Sequence, residues 1–356
     1  MQTFRLQAAP LEDLSARIFR ALGASEATAR TVSSALIEAN LMGHDSHGVM
    51  RIPEYVKRVK DGQVRPAAQP RIQAARGAVA VVSGEWAFGQ VAGTVAIDAA
   101  VERAREHGVG AVALVRCTHL GRVGAYPERA AASDCVAMVW VGGLGERPAV
   151  PYGGSRPALG TNPVSVGFPV EDDHPVVLDF ATTAIAAGKV RVAVDAHKAL
   201  PSGCIVDSRG RPATDPNEFV KDGGLLPFGG HKGFSMSVMA ELLGQALTGA
   251  DQPGGPEEEV FRRSGALFVA VYVGAFRPAE QAKRVAKTLV TRLRAVPPAP
   301  GVECVQTPGE PEARTRRQRA VGGIEIPEDT WRAILKAAES VGLSSQDLPA
   351  PATSTR

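Results

Sequence analysis

The chain has 356 residues, 44% of them hydrophobic and 22% charged, the balance of an ordinary globular protein with its core spread over about two domains. Forty Lys and Arg face 37 acids, and the net charge of +3 argues for no nucleic-acid partner, while an anionic small substrate needs only one or two placed cations. Four scattered cysteines (Cys117, Cys135, Cys204, Cys304) form no C-x-x-C pair and read as reduced thiols, neither a disulfide framework nor a zinc site.

The stretch MQTFRLQAAPLEDL has no charged start followed by an apolar run, and the most apolar segment, ALFVAVYVGAF near 266–276, is too short to span a bilayer. A cytoplasmic protein with no membrane partner is expected. Residues 11–22 repeat apolar positions every three or four residues and stop at Gly23. Ser25 caps a longer helix that ends at Gly43, and Pro53 suits the first turn of the next. A helix over 91–106 leads through Gly108 into the strand-like GAVALVR. Beyond it short β-branched runs alternate with turns and helices to about 275, and the stretches 141–163 and 200–230 have the Gly and Pro content of ordered functional loops. Residues 293–326 form a Pro-rich, partly basic excursion. A last helix runs from Pro327 to Gly342 ahead of a frayed tail, PAPATSTR. The expected fold is mixed α/β (α+β): a helical unit built from 1–75 with 310–356, on a central domain at 76–309.

Standard fingerprints fail. Gly108, Gly110 and Ala113 follow a helix and precede a strand, the reverse of a Rossmann turn. Gly188-Lys189 lacks the rest of a P-loop, and the adjacent Asp45, Ser46 and His47 cannot form a hydrolytic relay. His44 and His47 have a metal-like spacing without a third ligand cluster, so no metal is expected.

Four Gly-flanked constellations remain. In His44-Asp45-Ser46-His47-Gly48 a histidine can act as acid or base near neutral pH, and Arg51, on one face with Tyr55, can fork onto a carboxylate. A helix-capping loop with solvated side chains explains the same residues. Thr118-His119-Leu120-Gly121-Arg122-Val123-Gly124 places a second histidine at a strand end, where a satisfied loop histidine is the bland alternative. Gly160-Thr161-Asn162-Pro163 with Leu178-Asp179-Phe180-Ala181-Thr182-Thr183 can hold ribose hydroxyls or, as plain turns, backbone groups. Phe228-Gly229-Gly230-His231-Lys232-Gly233 opens an apolar helix, as a phosphate site or a Gly-rich cap.

In this order, roughly from Leu11 to Trp331, the segments DSHG, THLGRVG, GTNP, LDFATT, GGHKG and PGE resemble the non-Rossmann malate/L-lactate dehydrogenase family. The wording GRVGAY, LDFATT and GGHKG is most similar to its hydroxycarboxylate dehydrogenase B branch. The resemblance implies a dehydrogenase that moves hydride between NAD or NADP and C2 of a small 2-oxo or 2-hydroxy carboxylic acid. It implies catalytic roles for His47, His119 and Ser46, and substrate contacts at Arg51, Tyr55 and Thr161. Dinucleotide contacts would fall on Asp179, Ala181, Thr182, His231, Lys232, Pro308, Gly309 and Glu310, in a homodimer with its site near the subunit interface. Cys117-Thr118 departs from the Ser-Asn that often precedes the strand-end histidine, which puts local substrate contacts in question. Reduction of a cyclic imine carboxylate such as piperideine-2-carboxylate is the alternative chemistry. The non-enzyme alternative is a nucleic-acid-binding helical module using Arg314, Arg316, Arg317 and Arg319, a stretch that more often marks a solvated loop.

Overall fold

The computed structural model describes residues 3–143, 147–195, 197–251, 264–344 and 352–353. Local signals set its first helices. α1 (Ala8–Ala21) and α2 (Glu26–Leu41) are parted by Gly23 at φ +94°, and Ser25 caps α2 by accepting the Thr28 N–H at 3.1 Å. Two 3-10 turns over Asp45–His47 and Val49–Arg51 lead into α3 (Ile52–Lys60), with Pro53 in its first turn.

The ends of the chain come together. β1 (Thr3–Leu6) pairs antiparallel with β12 (Ile324–Pro327) and β13 (Ala352–Thr353), and α11 (Glu328–Glu339) packs on α3. One apolar core joins Leu11, Phe19, Leu36 and Ile52 to Ile324, Trp331 and Ile334, with Phe88 reaching in from between the two groups in sequence. Each fully buried side chain of this size contributes about 1.5–3 kcal/mol.

The central sheet has seven strands in the order β2-β3-β4-β11-β5-β6-β7. They are β2 (Arg71–Arg76), β3 (Val79–Ser83), β4 (Val109–Cys117), β5 (Cys135–Gly143), β6 (Val164–Phe168), β7 (Val176–Phe180) and β11 (Ser264–Tyr272). β3 and β4 run parallel around α4 (Gly89–His107), while the other neighbours are antiparallel, so this is no doubly wound sheet. The alanine-rich face of α4 packs close: a Cβ on Gly110 of β4 would lie 2.1 Å from the Ala100 carbonyl oxygen. A second core fills this sheet with Ile97, Leu114, Val139 and Phe268. β2 straddles the expected domain boundary at 75/76.

Around the sheet lie α5 (Ala125–Ala131), α8 (His231–Glu241) and α9 (Ala279–Arg294), while α6 (Ala187–Asp195) and α7 (Asn217–Val220) share a third, smaller apolar core of Val190, Leu200, Ile205 and Leu225. The 200–230 stretch carries a small sheet of β8 (Ile205–Val206), β9 (Pro212–Ala213) and β10 (Gly224–Leu225). One expectation needs correction. The excursion at 293–326 includes a helix, α10 (Glu310–Gly322), which Gly309 at φ +89° starts and Gly323 at φ +85° stops. Three of the four arginines thought to form a basic strip sit on it in ion pairs, Arg314 with Glu303, Arg316 with Glu38 and Arg319 with Asp45. The stretch is therefore a helix and not a loop, and three of its arginines already face acidic partners. Residues 144–146 of the first expected loop, and the expected tail except 352–353, lie outside the described residues.

Candidate active site

Two backbone segments meet where α3 and α4 converge. The 44–51 turns follow α2 and are held by Asn40, whose Oδ1 accepts the Val49 N–H at 2.8 Å. Gly48 packs on that amide so closely that a Cβ would stand 2.1 Å from Oδ1. The 118–124 loop follows β4 and touches the start of α4, where a Cβ on Gly89 would lie 2.2 Å from the His119 carbonyl oxygen. Both approaches require glycine.

The expected catalytic residues face each other across this junction. The rings of His47 and His119 stack with centroids 5.5 Å apart and planes 16° from parallel. Ser46 Oγ lies 3.0 Å from His47 Nδ1. Tyr55 Oη is 2.7 Å from His119 Nδ1 and accepts from Gln90 Nε2 at 2.8 Å. Phe19 and Phe88 clamp the Tyr55 ring, at 6.3 and 6.0 Å between centroids. Burial lowers the basicity of both histidines, and the Arg51 cation adds to it: His47 falls to about 3 and His119 well below its usual range. Burial pushes Tyr55 up to about 12.

Arg51 lies beside the pair but is partly engaged. Its Nε donates to Ser46 O and its Nη1 to Glu54 Oε2, both at 2.6 Å. Arg122 is more deeply committed, holding the Glu128 carboxylate through both Nη atoms while almost fully buried. Asp179, at the end of β7, accepts the Gly124 N–H at 2.8 Å, and burial raises its pKa against the pull of that bond and of Arg122. Cys117 and Thr118 turn inward, Cys117 Sγ donating to Thr118 O at 3.0 Å and Thr118 Oγ1 to Ala87 O at 2.9 Å, so the departure from Ser-Asn falls on structural side chains.

The residues expected to meet a dinucleotide continue along the same edge. Thr182 donates its N–H and its Oγ1 to Thr161 O, at 2.9 and 3.0 Å, and its carbonyl accepts from Phe228 N at 3.1 Å. Thr182 thus braces the Thr161 loop against the glycines before α8, with half-buried Ala181 beside it. Gly229 and Gly230, at φ +55° and +63°, turn the chain so that His231 and Lys232 open α8 exposed to solvent. Pro308, Gly309 and Glu310 are less direct. Pro308 O accepts from Val177 N at 3.1 Å, Gly309 packs on Pro175 and Val177, and the Glu310 carboxylate bonds Thr307 and Arg294. They fasten α10 to the start of β7 rather than present free groups.

Several partners were not anticipated. Besides Gln90, His44 Nε2 lies 3.4 Å from Glu312 Oε1, which ties α10 to the site segment. Asn162, buried at φ +42°, accepts from Gly143 N and donates to Ser237 and Glu241, holding the Thr161 loop against α8. A buried Asn in a Gly-Pro loop was the available signal for the last. Among the described residues, no group of three or more His, Cys, Asp or Glu could hold a metal.

With this geometry in view, the family model described as malate/L-lactate dehydrogenase matches residues 6–335. Hydroxycarboxylate dehydrogenase B of Escherichia coli (strain K12) is 35% identical over 352 residues, 97% of each chain. A Delta(1)-pyrroline-2-carboxylate/Delta(1)-piperideine-2-carboxylate reductase of Pseudomonas putida is 33% identical over 324 residues, 89% of this chain and 92% of the other. The solved sulfolactate dehydrogenase of Methanocaldococcus jannaschii superposes with a TM-score of 0.86 at 32% identity, covering 97% of this chain and 99% of its own.

Proposed function

The chain belongs to the malate/L-lactate dehydrogenase family, and from that premise we propose that it is an NAD(P)-dependent oxidoreductase acting at C2 of a small 2-hydroxy or 2-oxo carboxylic acid. The observation that carries this reading is the stacked His47–His119 pair with a guanidinium beside it. Both imidazoles are neutral at neutral pH, the form that takes a proton from a C2 hydroxyl. Once protonated, each is a strong acid toward a C2 oxyanion. A substrate carboxylate on Arg51 would offset the cation that lowers their basicity, so binding itself tunes the acid. Ser46 orients His47, Tyr55 orients His119, and Thr161 borders the substrate.

The residues present fit a dinucleotide. Exposed Lys232 and the turned glycines at the start of α8 suit a phosphate, and the Asp179–Ala181–Thr182 edge leads from there to the histidines. His231 would accompany Lys232, while Pro308, Gly309 and Glu310 would shape the rim. When bound, the nicotinamide supplies or takes up the hydride. We take the core joining the chain ends and the core of the seven-stranded sheet as two domains with the site between them. A homodimer is supported by Val285, Leu289, Leu293 and Val296, an exposed apolar row along and just beyond α9, and light scattering would test it. The free cysteines suit the cytoplasm.

The test is oxidation of NADH and of NADPH against pyruvate, oxaloacetate, 2-oxoglutarate, phenylpyruvate and a cyclic imine acid. Turnover of at least one 2-oxo acid is expected. Turnover confined to the imine would transfer the assignment to the chemistry named for the Pseudomonas putida relative, and no turnover at all would defeat the reading.

A further inference from the structure

Gln90 opens α4, is buried, and lies against the 118–124 loop, where a Cβ on Gly121 would be 3.1 Å from its Nε2. Its amide nitrogen donates to Tyr55 Oη, which is itself in contact with His119 Nδ1. A phenol has one proton. With Gln90 donating to Oη, that proton points at Nδ1, and neutral His119 keeps its own proton on Nε2. Gln90 Oε1 meanwhile is buried with no hydrogen-bond partner among the described residues. Half a turn of the amide reverses the chain. Gln90 Oε1 then accepts from Tyr55, Tyr55 Oη accepts from Nδ1–H, and Nε2 is left with its lone pair. That second form can take the proton of a C2 hydroxyl at Nε2 and return it to a C2 oxyanion, with Nδ1–H unchanged throughout.

We propose that Gln90 is a positioning residue that, through Tyr55, sets which nitrogen of His119 carries the proton. The inference rests on the dehydrogenase reading above. The charged and titratable groups facing His119 are His47 and Arg51 of the 44–51 segment and Tyr55 and Arg58 of α3. α4 faces it with the neutral Gln90 amide, which changes the proton's position without adding charge.

The experiment combines nitrogen-15 NMR of the imidazoles in the cofactor-free protein with steady-state kinetics. Gln90→Met should change the balance of His119 tautomers and lower kcat by roughly 10–100-fold, a misplacement-sized loss, with KM and NADH affinity within about twofold. Gln90→Glu, which can only accept from Tyr55 when ionised, should restore the Nδ1–H form and move the acidic limb of the oxidation profile to higher pH. Tyr55→Phe breaks the link, so adding Gln90→Met to it should cost nothing further. Unchanged His119 ring signals in Gln90→Met, or losses that multiply in the double variant, would overturn the proposal. The NMR arm needs no substrate, so it judges Gln90 separately from the dehydrogenase assignment.

Discussion

Replacing Arg51 by Met tests the carboxylate and the proton together. The guanidinium has five N–H donors, and the structure engages Nε with Ser46 O and one Nη1 donor with Glu54. On the proposed reading, the remaining donors of the fork take the substrate carboxylate. Removing one partner of a desolvated charge pair costs roughly 2–5 kcal/mol. The Arg51 side chain is 23% exposed, which favours the lower part of that range, so kcat/KM for a 2-oxo acid should fall about 30–300-fold. Arg51→Lys should recover only part, because an ammonium cannot copy the fork. Glu54→Gln, which keeps the guanidinium and loosens its anchor, should cost less than about tenfold. A pH effect accompanies the loss. Arg51 is the leading charged group lowering the basicity of both histidines, after burial, so its removal raises both pKa values. In the oxidation direction the base must be neutral, and the acidic limb of kcat/KM should therefore move to higher pH. Stopped-flow and steady-state assays on a 2-oxo acid and its methyl ester provide the comparison, the ester being similarly poor for wild type and variant. If Arg51→Met reduces the acid as well as wild type does, the carboxylate is held elsewhere. Arg122, already committed to Glu128, is then a weak replacement.

Three further outcomes are expected. His47→Ala and His119→Ala should each lower kcat by about 10²–10⁴-fold with near-normal NADH binding, and a variant with full turnover would make its histidine structural. Lys232→Ala should weaken NADH binding about tenfold in a fluorescence titration, whereas an unchanged Kd would reduce the start of α8 to a cap. Glu128→Met leaves the Arg122 guanidinium buried without its partner and should destabilise by about 3–5 kcal/mol in denaturant melts, largely reversed by adding Arg122→Met; a harmless single variant would refute the pairing argument.

What could be read from the chain depended on whether the signal was local. Ser25, Gly23 and Pro53 act within one turn, and the helices they bound lie where expected. The ordered motifs also brought Ser46, His47, Arg51, Tyr55 and His119 to one junction. α10 escaped notice because EPEARTRRQRAVG buries none of its residues, so its charges looked like those of a loop. Its stabilising partners, Glu38 and Asp45, are more than 270 positions away in sequence. Gln90 and Asn162 escaped for the same reason: a buried amide declares itself only through distant partners, Tyr55 for one and Ser237 with Glu241 for the other.

The way α10 is attached has a consequence for the solution in which the protein works. Arg319 and Asp45 are 26% and 47% exposed, so counterions can compete with their attraction, and Arg316–Glu38 is similarly open. The screening length shrinks from about 10 Å at 0.1 M salt to about 3 Å at 1 M. Concentrated salt therefore loosens a helix that no apolar burial retains, and Asp45 directly precedes Ser46 and His47. The order of that turn is set partly by ionic strength, while the Phe19 and Phe88 rings tilted against Tyr55, being apolar, keep their place.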